Sequence, residues 1–179
     1  MRMALAALAC CFPAAAQDSE RDWFALDGLR ARVLFFVAHD CPISNRYAPE
    51  IRRLCAEYRP RGVACVLLYP DSSLREEDRK VHQAAFGLSH LDAAPDPAHR
   101  WAARTGVTRT PEVAVVGPGG KVLYRGRIDD RYAGWLQTRP APTRRDLRIA
   151  LNEILAGRPV SVARTTAVGC YLPPLPLRK

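Results

Sequence analysis

The sequence predicts an α/β sandwich, a central mixed sheet flanked by helices, with a C-terminal extension. Three observations carry this. Residues 32–38 (RVLFFVA) and 63–69 (VACVLLY) are continuous apolar runs with the length and composition of strands buried on both faces. A helical pattern follows each run. Downstream, two strand-like segments flank Gly117-Pro118-Gly119-Gly120 and read as a β-hairpin. Strands alternating with helices pair in parallel through crossovers, and the hairpin adds antiparallel strands.

Taken in order, the first strand leads into His39-Asp40-Cys41-Pro42, and Pro42 suits the first turn of a helix. Tyr47, Ile51, Leu54, Cys55 and Tyr58 then recur on one helical face, and Pro60-Arg61-Gly62 stops the helix. The second strand is followed by a helix from Ser73 or Leu74 to Phe86, opened by Glu76, Glu77 and Asp78. Residues 87–97 read as irregular and 99–106 as a short helix. Thr110-Pro111 opens the hairpin, whose strands are 112–116 and 121–128. Asp129-Asp130 reads as a turn at the strand end. Thr143-Arg144-Arg145-Asp146 approximates a capping box for a last helix bearing Leu147, Ala150, Leu151, Ile154 and Leu155, ended by Gly157. Residues 159–166 read as extended and 171–179, with three prolines, as irregular.

The chain of 179 residues suits one domain, and its charged fraction of 25% is that of a folded protein. No apolar run reaches the roughly 18 residues of a membrane span. The net charge of +9 is concentrated after His99. Its arginines scatter over strands, turns and a helix instead of forming a basic stripe with interleaved aromatics, so a solvated basic surface is expected and no nucleic-acid partner. Residues 1–16 have a positive start, a short apolar stretch and an A-x-A site, the pattern of a secretory signal. The expected organisation is therefore a signal in 1–16, one domain in 17–157 and an extended tail in 158–179. Of six cysteines, Cys10 and Cys11 leave with the signal, and Cys41, Cys55, Cys65 and Cys170 remain in an oxidising, periplasmic or secreted setting.

Cys41 stands between a strand and a helix, where the helix dipole and free N–H groups favour a thiolate. It is the candidate nucleophile. A lone nucleophilic thiol needs a second to complete a disulfide cycle, and Cys170 in the tail is the candidate. Cys55 on an apolar helix face and Cys65 within an apolar strand read as buried small hydrophobes, with a bridge between them as the alternative. His82, His90 and His99 lack ligand spacing and read as surface residues.

The segments DCPISNRYAPEI (40–51), TPEVAVVGPGGKVLYRGRIDDRY (110–132), TRPAPT (138–143) and TTAVGC (165–170) resemble the peroxiredoxin-like, or redoxin-domain, branch of the thioredoxin superfamily. The resemblance spans 33–170. It implies a thioredoxin-like sandwich, a functional Cys41, a cis-proline at Pro111, and a substrate groove shaped by Thr110, Pro111, Pro42 and Ser44. The expected function is a thiol-disulfide oxidoreductase acting on a protein disulfide or small oxidised thiol, served by a separate redox partner and needing no cofactor. Two departures stand out. Ser44 occupies the second position of C-x-x-C, and Cys41 occupies the threonine position of a peroxidase motif. Disulfide exchange is therefore expected ahead of peroxidase activity. Two alternatives remain: a copper- or zinc-binding module using His39, Cys41 and Cys170, and a non-catalytic interaction module with a locked Cys41–Cys170 bond.

Overall fold

The computed structural model describes residues 21–135 and 137–175; the expected signal segment lies outside the described residues. The two apolar runs form β1 (Ala31–Phe36) and β2 (Val63–Tyr69), which pair in parallel from Ala31 opposite Val63 to Phe36 opposite Leu68. Helix α1 (Pro42–Tyr58) makes the crossover. Then come α2 (Glu76–Ala85), β3 (Asp92–Pro95), α3 (Arg100–Thr105), the short β4 (Arg109–Thr110) and the hairpin strands β5 (Glu112–Gly117) and β6 (Lys121–Gly126). A small ribbon of β7 (Tyr132–Gly134) and β8 (Gln137–Thr138) precedes α4 (Asp146–Leu155) and the tail strand β9 (Cys170–Tyr171). The main sheet has the order β3-β2-β1-β5-β6, parallel across β3, β2 and β1 and antiparallel from β1 to β5 to β6.

The central strands β1, β2 and β5 are largely apolar without alternation because both faces are covered. Val33 and Phe35 of β1, Val113 and Val115 of β5 and Leu67 of β2 face a core shared with Tyr47, Ile51, Leu54 and Tyr58 of α1 and Leu147 and Leu151 of α4. The intervening Leu34, Phe36, Ala114, Val116, Val66 and Leu68 face a second core with Trp23, Phe24, Trp101 and Val107. Each full aliphatic truncation there removes about 2–5 kcal/mol of stability.

Three local expectations need correction. Residues 87–97 contain β3, which joins the free edge of β2 from Val66 opposite Asp92 to Tyr69 opposite Pro95. The capping box at Thr143 does not form: the N-cap of α4 is Arg145, without a side-chain cap, because the Thr143 hydroxyl and the Thr143 and Arg144 N–H groups are all taken by the Asp130 carboxylate. Those bonds hold Asp130 down at about 2. Asp129 and Asp130 are buried anchors, and the Asp129 carboxylate accepts a 2.6 Å bond from the Tyr47 hydroxyl and a 2.9 Å bond from the Arg131 N–H. His82, expected at the surface, is buried with Arg79 and Gln83 on the inner face of α2. That face is polar yet satisfied. Arg79 donates to the Ala93 carbonyl at 2.6 Å, and Gln83 to the Leu91 carbonyl at 3.2 Å.

Candidate functional site

Cys41 is the N-cap of α1, in extended backbone geometry, and Pro42 occupies the first helical turn. The Cys41 side chain makes no capping hydrogen bond at this end of the helix. Three bonds fix the approach from β1. The Ala38 N–H donates to the Ser44 hydroxyl at 3.2 Å, the Cys41 N–H to the Ala38 carbonyl at 3.4 Å, and the Asn45 amide to the His39 carbonyl at 2.9 Å. Ser44 is thus turned into the protein as a loop brace, while Pro42 is exposed.

Behind this loop lies a chain of polar side chains. Asn45 Oδ1 can only accept, so His82 Nε2, 2.9 Å away, carries the proton. His82 Nδ1 then accepts from the Tyr69 hydroxyl at 2.8 Å. Burial, with His39 nearby, lowers the His82 pKa, and the neutral imidazole satisfies every bond in the chain.

The Thr110–Pro111 peptide bond is cis, and both residues are buried. The Thr110 carbonyl oxygen lies 3.3 Å from Cys41 Sγ. Glu112, at the start of β5, holds this loop in place. Its buried carboxylate accepts the Thr108 N–H at 2.9 Å and the Arg109 N–H at 3.2 Å, and lies 3.6 Å from the Arg125 guanidinium. Glu112 was not singled out in the sequence; its signal was a carboxylate opening an otherwise apolar buried strand.

The tail reaches the site in two stages. Residues 163–165 run beside β6, with the Arg125 N–H donating to the Ala163 carbonyl and the Thr165 N–H to the Arg125 carbonyl, each at 3.0 Å. The Gly126 backbone, at φ +147°, passes so close to Thr165 that no side chain fits there. The tail then forms β9, antiparallel to β4, with Cys170 opposite Thr110 and Tyr171 opposite Arg109. Cys170 and Cys41 are joined by a disulfide, with Cα atoms 6.2 Å apart. Cys41 is 1% exposed, whereas Cys170 is only half-buried.

Cys41, Thr110, Pro111 and Cys170 therefore meet at one place. His39 does not join them as a ligand; its Nδ1 lies 3.9 Å from Asp71 and 4.0 Å from Asp40. Among the described residues no three His, Cys, Asp or Glu side chains gather as a metal site, and the disulfide occupies both sulfurs of the triad considered above. Cys55 and Cys65 are free thiols. They are neighbours, and the hydrogen bond of the Cys65 thiol to Cys55, followed by burial, raises the Cys65 pKa well above its usual value. His90 is exposed, and His99 Nε2 lies 3.1 Å from the Pro70 carbonyl. Among the described residues no helix is long and apolar enough to cross a membrane.

No model of a known protein family matches the sequence, and no curated protein matches it. Solved structures do. An uncharacterised conserved protein from Geobacillus kaustophilus superposes with a TM-score of 0.73 at 25% identity, over 83% of this chain and 79% of that one. A hypothetical protein from Sinorhizobium meliloti 1021 gives 0.71 at 20% identity, over 82% and 81%. A protein from Chlorobium tepidum assigned as a thiol:disulfide interchange protein DsbE gives 0.56 at 22% identity, over 73% and 82%. The mixed sheet, its flanking helices and these likenesses together establish a thioredoxin-like fold.

Proposed function

We propose that the protein is a thiol-disulfide oxidoreductase of the redoxin type, with Cys41 as nucleophile and Cys170 as resolving thiol. The observation that carries this reading is the disulfide between the N-cap of α1 and a tail strand lying on the cis-proline loop. The DsbE assignment of the Chlorobium tepidum relative, and the redoxin-like motif segments, agree with it.

In the reduced protein the α1 N-terminus stabilises the Cys41 thiolate, and its proton goes to solvent. That thiolate attacks one sulfur of a substrate disulfide. A Cys41–substrate disulfide forms, the substrate S–S bond breaks, and the departing sulfur takes up a proton. Cys170 thiolate then attacks Cys41 Sγ, forming the Cys41–Cys170 bond and releasing the second substrate thiol. Two electrons and two protons pass from the protein to the substrate. A separate dithiol donor attacks the half-buried Cys170 sulfur with Cys41 as the leaving group; its second thiol then displaces Cys170, so the pair is reduced and the donor leaves as a disulfide. A low-pKa thiolate leaves fastest, which suits Cys41 at the N-terminus of α1. The signal-like segment supports a periplasmic or extracellular setting for this chemistry, where disulfide substrates persist.

The test is exchange with a disulfide substrate by the reduced protein and its Cys41→Ser and Cys170→Ser variants. Cys41→Ser is expected to fall to the uncatalysed rate. Full exchange by Cys41→Ser, or a bond that resists mild reductant with no turnover at all, would overturn the reading and favour a non-catalytic module.

A further inference from the structure

β4 is two residues long and pairs only with β9 among the described residues. The edge of β4 that β9 occupies offers backbone donors and acceptors, the kind of template that accepts an extended peptide. The chain's own Gly169-Cys170-Tyr171-Leu172 lies there in the manner of a bound peptide. The Leu172 N–H donates to the Thr108 carbonyl at 3.2 Å, continuing the pairing beyond Tyr171. Leu172 packs against the second core. Arg109 grips both sides of the cysteine. One guanidinium nitrogen lies 3.4 Å from the Gly169 carbonyl, another donates to the Tyr171 hydroxyl at 2.8 Å, and the guanidinium sits 4.0 Å from the Tyr171 ring centre.

The tightest fit is at Gly169. A β-carbon there would overlap the Thr110 carbonyl oxygen and stand 2.7 Å from its carbon and 3.1 Å from the Pro111 nitrogen. These are backbone atoms of a buried loop that Glu112 holds, so they cannot yield as a side chain would. The restriction is steric and concerns whichever residue precedes the cysteine presented to Cys41.

We infer that the groove along β4 selects, among extended protein segments, those that present a glycine-preceded cysteine, and that the tail is its resident competitor. This rests on the oxidoreductase reading above and names its substrate class. The resolving thiol and the substrate share one groove, so they compete for it. The tail must leave for Cys41 to attack the substrate disulfide. When the tail returns, Cys170 attacks Cys41 Sγ, the Cys41–substrate bond breaks, and β9 pairing expels the substrate segment as a thiol. An aromatic residue after the cysteine gains the Arg109 contact that Tyr171 makes.

The test uses the full-length Cys170→Ser protein in reduced form. The probes are two octapeptides: one with the sequence of residues 166–173 (TAVGCYLP), and one with alanine replacing its glycine. Each carries its cysteine as a mixed disulfide with thionitrobenzoate, and the parent aromatic disulfide reagent is the control. The glycine peptide is expected to release thionitrobenzoate at least about tenfold faster than the alanine peptide, the size of penalty an overpacked contact imposes. Both peptides should react equally with free glutathione. A Gly169→Ala change added to the Cys170→Ser protein weakens the resident competitor and is expected to speed the glycine peptide further. Equal rates for the two peptides with a Cys41 that reacts with the parent reagent would overturn the glycine selectivity alone. A Cys41 inert even to that reagent would overturn the oxidoreductase reading and the groove with it.

Discussion

Breaking the Cys41–Cys170 bond is expected to destabilise the whole domain, and the size follows from where the bond sits. It joins residues 129 apart, so the closed loop runs from the start of α1 through β2, β5, β6 and α4. In the chain-entropy account, cross-linking a loop of that length restricts the unfolded chain by about 5 kcal/mol. For a domain of this size each kcal/mol moves the melting temperature by a few degrees, so full reduction should lower it by roughly 10–20 °C. The assay is calorimetry of the oxidised protein and of the same protein in excess phosphine, with thiols counted by mass spectrometry. A Cys41→Ser/Cys170→Ser double variant should melt at the reduced temperature with or without phosphine. Equal melting temperatures for oxidised and reduced protein would refute the reasoning, since a cross-link over such a span must constrain the unfolded chain.

Other outcomes follow from the same geometry. Glu112→Ala removes the acceptor for the Thr108 and Arg109 N–H groups and should cost about 1–3 kcal/mol in chemical denaturation, while slowing exchange at Cys41. His82 has a lowered pKa in the folded protein because of burial, so below its usual 6.5 the unfolded chain binds the extra proton. Its contribution to stability is complete above that value and falls as pH drops below it, by at most about 1.4 kcal/mol per pH unit. The difference in stability between His82→Gln and the parent, followed from pH 8 to 5, checks this; a constant difference would contradict it. Brief exposure of the oxidised protein to glutathione, then acid quenching and peptide mapping, should place the first adduct on half-buried Cys170; an adduct on Cys41 would contradict the proposed entry point.

The parts of the fold that the sequence revealed are those where local pattern and tertiary burial agree. β1, β2 and β5 are apolar runs because neighbours cover both faces, and β6 is marked by the turn that joins it to β5. β3 was hidden, since Asp92-Ala93-Ala94-Pro95 has little strand character and only Ala94 is buried; the edge of β2 makes it a strand. The inner face of α2 was hidden for another reason. Arg79, His82 and Gln83 look solvent-facing by type, and their burial depends on partners distant in sequence, including Ala93 and Asn45. Thr143 looked like a cap until Asp130 claimed it.

At the site, Cys41, Thr110, Pro111 and Cys170 were legible because strand-to-helix placement and motif order mark them. Glu112 and Arg109 were not, as their roles arise from contacts with backbone and with the tail. Gly169 was within reach of a sequence reading: a glycine directly before a candidate thiol signals close backbone approach.

The most direct test of the central claim is a trapping measurement. Reduced Cys170→Ser protein is mixed with a protein disulfide, quenched with acid and mapped by mass spectrometry. The account expects a mixed disulfide on Cys41 that accumulates in this variant and is resolved in the parent. Accumulation on Cys55 or Cys65, or equal accumulation in parent and variant, would contradict it.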